Sequence, residues 1–168
     1  MPVRFLNEKK EINSKSFPFN FETRKKMIES VFGDSVAVSS NYTFVAPFKK
    51  YFPPLISPKS WSLRKQILQG IEDDYFTYTG DKAEGLMLKL YRLNPKVGTR
   101  KLVSATSVKN EMYAASQGDK LSWEKLVPLS VAKIINENLE VVKEFASAED
   151  KTVRIAGMKF PKEGYNSK

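Results

Sequence analysis

Short apolar runs alternate with amphipathic stretches along this chain, and that alternation predicts strands alternating with helices. Val3 to Leu6 reads as a short strand, and Asn7 to Phe19 as a polar, lysine-rich loop. Asn20 is placed to cap a helix from Phe21 to Phe32, whose Phe21, Met27, Ile28, Val31 and Phe32 fall roughly on one face before Gly33 stops it. Ser35 to Ser39 predicts the next strand, and Ser62 the cap of a helix from Leu63 to Ile71. Tyr75 to Tyr78 predicts a strand that ends in Thr79-Gly80-Asp81, and Asp81 to Leu93 a helix stopped by Asn94-Pro95. Lys101 to Val103 reads as a strand leading into a helix from Ser104 to Gln117. A short helix around Trp123 to Leu126 and a long amphipathic helix from Leu129 to about Phe145 follow. Thr152 to Ala156 predicts a last strand, followed by Gly157 and a basic tail.

The stretch from Asn41 to Pro58 has no clear period. It is aromatic, carries Lys49 and Lys50, and is broken by Pro47, Pro53, Pro54 and Pro58. Two readings stand: a packed irregular connection, or a flap over a planar base. Elsewhere the alternation predicts βαβ units, hence an α/β fold: a Rossmann-like parallel sheet of about five strands with helices on both faces. One domain would span residues 1–150, with residues 151–168 as a C-terminal strand and basic tail. In such sheets ligands bind at the carboxyl ends of strands. Gly80-Asp81 and Ser104 to Lys109 both fall at such ends.

Composition narrows the chemistry. With 41% hydrophobic and 12% aromatic residues over 168 positions, a packed globule is expected. There is no cysteine, which excludes disulfides and thiolate chemistry. The formal charge of +9, spread along the chain without a block, points to a phosphate-rich partner: a nucleotide, or nucleic acid. No apolar run approaches membrane-span length and no signal peptide is read, so a cytoplasmic protein with no membrane partner is expected.

Ser104-x-Thr106-x-x-Lys109 at the start of a helix places free backbone N–H groups, two hydroxyls and a cation around one spot, with Ser107 in the same turn. Such a spot suits phosphate. Taken together, four segments resemble the nicotinamide-nucleotide adenylyltransferase and cytidylyltransferase-like nucleotidyltransferases. They are Ser16 to Ile28, Tyr78-Thr79-Gly80-Asp81-Lys82, Val103 to Lys109, and Trp123 to Pro128. The resemblance implies ATP or CTP as ligand and Mg²⁺ as cofactor in an active enzyme. Phosphate or nucleotide contacts would come from Gly80, Asp81, Arg24, Ser104, Thr106, Ser107 and Lys109.

The resemblance fails at the start. Family members open with a strand and a His-x-Gly-His motif, and this chain has no histidine. That pair stabilises charge on the reacting phosphates, so a degenerate or incomplete enzyme is expected. Thr152 to Tyr165 looks like a worn copy of the missing opening, with Val153, Ile155 and Ala156 as a strand in the central slot of the sheet. The other readings are a C-terminal edge strand, or a partner chain that supplies the missing unit. A non-catalytic nucleic-acid- or protein-binding module on the same fold is the alternative function.

Overall fold

Phe5 sits at the middle of strand β1 (Arg4–Asn7), and its burial organises the N-terminal half of the protein. The computed structural model describes residues 1–72, 74–99, 104–155 and 157–165. β1 pairs in parallel with β3 (Thr43–Val45), setting Phe5 beside Phe44. Helix α1 (Phe21–Phe32) makes the crossover between them, as a parallel pair requires. Asn20 caps α1 by accepting the Thr23 N–H at 2.9 Å, and Gly33 ends it at φ 53°. The other edge of β1 is filled by a two-residue antiparallel strand, β2 (Lys10–Glu11). The Ile12 N–H extends that pairing to the Phe5 carbonyl at 2.8 Å.

The predicted strand at Ser35–Ser39 is not formed. A 3-10 turn over Gly33–Ser35 runs into irregular chain, and Val36 is exposed. The strand forms in the aromatic stretch instead, because Phe44 buries far more apolar surface than Val36 or Val38. Phe48 and Tyr51, in a 3-10 turn over Phe48–Tyr51, are core residues too. Of the two readings of Asn41–Pro58, the packed connection is the observed one.

Helix α2 (Pro58–Leu68) starts earlier than predicted, with Ser57 as its cap. A second parallel pair follows: β4 (Thr77–Thr79), helix α3 (Lys82–Leu90) and β5 (Pro95–Val97). Pro95, read from sequence only as a helix stop, opens β5, a strand position that needs no ladder N–H. Gly85 of α3 lies against the Val97 and Thr79 side chains, where a Cβ would not fit.

Helices α4 (Ala105–Ser116), α5 (Leu129–Glu137) and α6 (Leu139–Ser147) build a second core with Phe19 and Trp123. The single helix predicted from Leu129 to Phe145 breaks at Asn138, whose backbone leaves the helical region (φ −115°, ψ 30°) while its side chain donates to the Ile134 carbonyl at 2.8 Å. Asparagine competes for backbone groups in this way. The break lets Ala132, Ile135, Val142 and Ala146 all reach one cluster.

The C-terminal strand β6 (Thr152–Ile155) does not enter a central slot. It forms an antiparallel hairpin with β7 (Met158–Pro161), turning at Gly157 (φ +87°), and a helical turn, α7 (Lys162–Tyr165), follows. Ala156 lies outside the described residues, as do Lys101 to Val103, where another strand was predicted. The described strands therefore form three small sheets in the orders β2-β1-β3, β4-β5 and β6-β7. The fold is mixed α/β with seven α-helices among the described residues, and the expected five-stranded parallel sheet is not among them. The reason lies at β1, where β2 already pairs the edge at which a central strand would dock. β7 satisfies the backbone of β6 instead. The hairpin serves the core with side chains: Phe160 is fully buried, within 5.1–6.0 Å of the Phe5, Phe44, Phe48 and Phe52 rings. No helix among the described residues is long and apolar enough to cross a membrane.

Candidate functional site

The start of α4 is built by a capping box. Ser104 Oγ accepts the Ser107 N–H at 3.1 Å, and Ser107 Oγ accepts the Ser104 N–H at 3.2 Å. Both hydroxyls are thus occupied in capping the start of the helix, and neither lines the neighbouring cleft. Thr106 and Lys109, three residues apart on one helical face, do. They open onto a cleft of about 600 Å³ that also receives Lys15, Asp81, Arg154 and Lys159.

Each wall of this cleft has a local cause. Lys15 and Ser16 belong to the N-terminal loop, held by the Tyr113 hydroxyl, which donates to the Lys15 carbonyl at 2.8 Å. The Lys15 ammonium donates to the Ala146 and Ala148 carbonyls at 2.8 and 3.0 Å, where the negative end of α6 favours a cation. Arg154 and Lys159 face each other across the β6–β7 hairpin, so both project from one side of it. Lys159 donates to Ser16 Oγ at 2.7 Å and to Asp150 Oδ2 at 2.9 Å, and Ser16 Oγ donates to the same carboxylate at 3.0 Å. Lys109 donates to the Ser16 carbonyl. The Arg154 guanidinium makes no hydrogen bond or ion pair with the described residues.

The electrostatics follow from this crowding. Burial pushes the Lys109 ammonium below the usual lysine value, Lys159 adds to the effect, and Asp150 opposes it. For Asp150, burial acts upward, but hydrogen bonds from Lys159, Ser16 and Thr152 and the Lys159 charge outweigh it, and the carboxyl is held below its usual value. Tyr113 is raised by burial and by Asp150, so it stays a neutral donor. Four basic side chains face Asp81, Glu84 and Asp150 in the cleft. The arrangement suits a ligand with several anionic oxygens, held by directed N–H donors around a small hydroxyl.

Four predicted site residues are not brought there. Gly80 is exposed in the β4–α3 turn with open space where a Cβ would lie, and does not line the cleft. Arg24 is held by Glu11 at 3.1 Å and donates to the Asn20 carbonyl, because Glu11 also accepts the N–H of Phe21 at the start of α1. Ser104 and Ser107 serve the cap. Asp81 lines the cleft and caps α3, accepting the Ala83 and Glu84 N–H groups at 2.8 and 3.1 Å. Trp123 is buried in the second core. Sequence reasoning missed Asp150, Arg154 and Lys159. The available signal was the basic alternation of a segment read as a copied motif and not as a hairpin.

The described residues do not fit a protein-built Mg²⁺ site. No group of three or more His, Cys, Asp or Glu side chains is placed to hold a metal ion among them. Glu84 accepts a hydrogen bond from Thr79, Asp81 caps a helix, and Asp150 is paired with Lys159. Comparison of the chain with protein-family models, curated proteins and solved structures gave no match.

Proposed function

We propose that this chain is a nucleotidyltransferase-like nucleotide-binding protein that holds the phosphates of ATP or CTP in the cleft between α4, the Lys15–Ser16 loop and the β6–β7 hairpin. The observation that supports the reading is the meeting of Thr106 and Lys109, from the Ser-x-Thr-x-x-Lys pattern, with Lys15, Arg154 and Lys159 around one cavity. A volume of about 600 Å³ falls in the range of small-molecule sites. Arg154 supplies a bidentate fork for a phosphate and Lys109 a point charge.

In nucleotidyl transfer, an oxygen of a phosphate monoester attacks the α-phosphorus, and the bond to the β-phosphate oxygen breaks to release pyrophosphate. The lysines and Arg154 would neutralise the leaving pyrophosphate. No histidine is present to stabilise the α-phosphate charge. Nucleotide binding with little or no transfer is the expected behaviour.

Titration calorimetry with ATP and CTP tests this. Thr106→Ala with Lys109→Ala should weaken binding by an amount on the order of 2–4 kcal/mol, from lost charge-assisted hydrogen bonds. Equal affinity of wild type and double variant removes the reading.

A further inference from the structure

We propose that the open face of the β4–β5 pair is a stacking surface for single-stranded nucleic acid. One face of the pair is covered by α3, with Gly85 against the Thr79 and Val97 side chains. Side chains alternate across a strand, so the other face carries Tyr78 and its register partner Lys96. The Lys96 ammonium lies 3.8 Å from the Phe76 ring centroid, which puts Phe76 on that face as well. Tyr78 reaches across the pair to Gly98, where a Cβ would collide with its hydroxyl. Phe76 is 55% exposed and Tyr78 68% exposed, and neither belongs to either hydrophobic core.

Leaving two large aromatic rings in water forgoes apolar burial, and a ligand with flat apolar faces recovers it. Unpaired bases present such faces, and stacking on aromatic side chains tolerates any base. Lys96 puts a cation on the platform itself. Lys89 and Arg92, with Tyr75, Asn94 and Pro95, line a groove of about 530 Å³ just ahead of the two strands, where α3 ends, and add cations beside the pair. Among the described residues, the upstream acids Glu72 and Asp74 do not line it. A net charge of +9 supplies the long-range attraction for a polyanion. Duplex bases are already stacked on each other, so the ligand is a single strand. The platform shares no residue with the phosphate cleft, so the two proposals fail independently.

Fluorescence anisotropy with labelled oligo-dT, oligo-U and a duplex of equal charge tests the assignment on the full chain. The single strands should bind more tightly than the duplex. Tyr78→Ala should weaken single-strand binding by roughly 5- to 100-fold, the range for loss of one stacking ring. Tyr78→Phe, which keeps the ring, should retain affinity. Lys96→Ala should reduce the salt slope by about one. Equal binding by Tyr78→Ala and wild type, equal loss in Tyr78→Phe and Tyr78→Ala, or preference for the duplex overturns the proposal. Circular dichroism on each variant keeps a folding defect from passing as lost binding.

Discussion

The Lys109 ammonium donates to the backbone carbonyl of Ser16, joining α4 to the N-terminal loop at the cleft. Lys159 donates to the hydroxyl of the same serine. Two cations are thus held at one residue, close enough for Lys159 to help lower the pKa of Lys109.

That lowering gives a pH dependence with a definite sign. Lys109 loses its proton at a pH below the ordinary lysine value of 10.5, through burial first and Lys159 second, with Asp150 opposing. Phosphate binding needs the charged form. Affinity for ATP should therefore fall as pH rises toward that lowered value, before ordinary lysines titrate. Lys109→Arg, charged throughout, should flatten the profile. Calorimetry from about pH 7 to about pH 10 reads both. A flat wild-type profile would take Lys109 out of the binding site.

Asp81 separates capping from ligand chemistry. Asparagine caps nearly as well as aspartate, so Asp81→Asn should lower the melting temperature less than Asp81→Ala, whose lost cap costs about 1 kcal/mol. Removing a carboxylate from an anion cleft should strengthen ATP binding about two- to fivefold without Mg²⁺, since an exposed charge acts weakly. A loss of Mg²⁺-dependent affinity in Asp81→Asn would instead assign the carboxylate to the ion.

Gly157 and Ala83 can be tested as a pair. Gly157 has φ +87°, and a Cβ there would lie 2.5 Å from the Ala83 Cβ. Gly157→Ala should destabilise by roughly 2–3 kcal/mol, from the left-handed backbone and from overlap. Adding Ala83→Gly should return only the overlap part. Urea unfolding of the four proteins measures the coupling. Full additivity would show that the hairpin turn does not press on α3.

Phe160→Ala should cost about 3–5 kcal/mol, because the lost ring touches four other aromatic residues and nothing can fill the space. Truncation after Asp150 removes this ring together with the hairpin and should unfold the protein. A truncated chain that melts cooperatively near the wild-type temperature would refute a core role for the hairpin.

Sequence reading was most faithful where signals are local. Asn20 and Gly33 bound α1 at the residues expected, and Ser104 and Asp81 cap the helices that follow them. It failed where pairing over distance decides. Nothing in Lys10-Glu11 marks it as the strand that takes the edge of β1, and its shortness hid it. Asn138 lies inside an amphipathic run whose period predicts one unbroken helix, yet it ends α5. The cleft was half legible. Thr106 and Lys109 follow from their spacing, and Lys15 lies in a loop that the family resemblance sets near phosphate but that composition alone reads as solvated. Arg154 and Lys159 join them through a hairpin register that no local pattern announces.

The aromatic core has a consequence for synthesis on the ribosome. Phe5, Phe44 and Phe48 emerge first, but Phe160, which packs against all three, emerges more than a hundred residues later. Until then the nascent chain carries an uncapped apolar face beside its first parallel pair, the kind of surface that aggregates or engages chaperones. Closure of this core therefore waits for the hairpin, and the time taken to synthesise the intervening residues sets how long the unfinished face stays open.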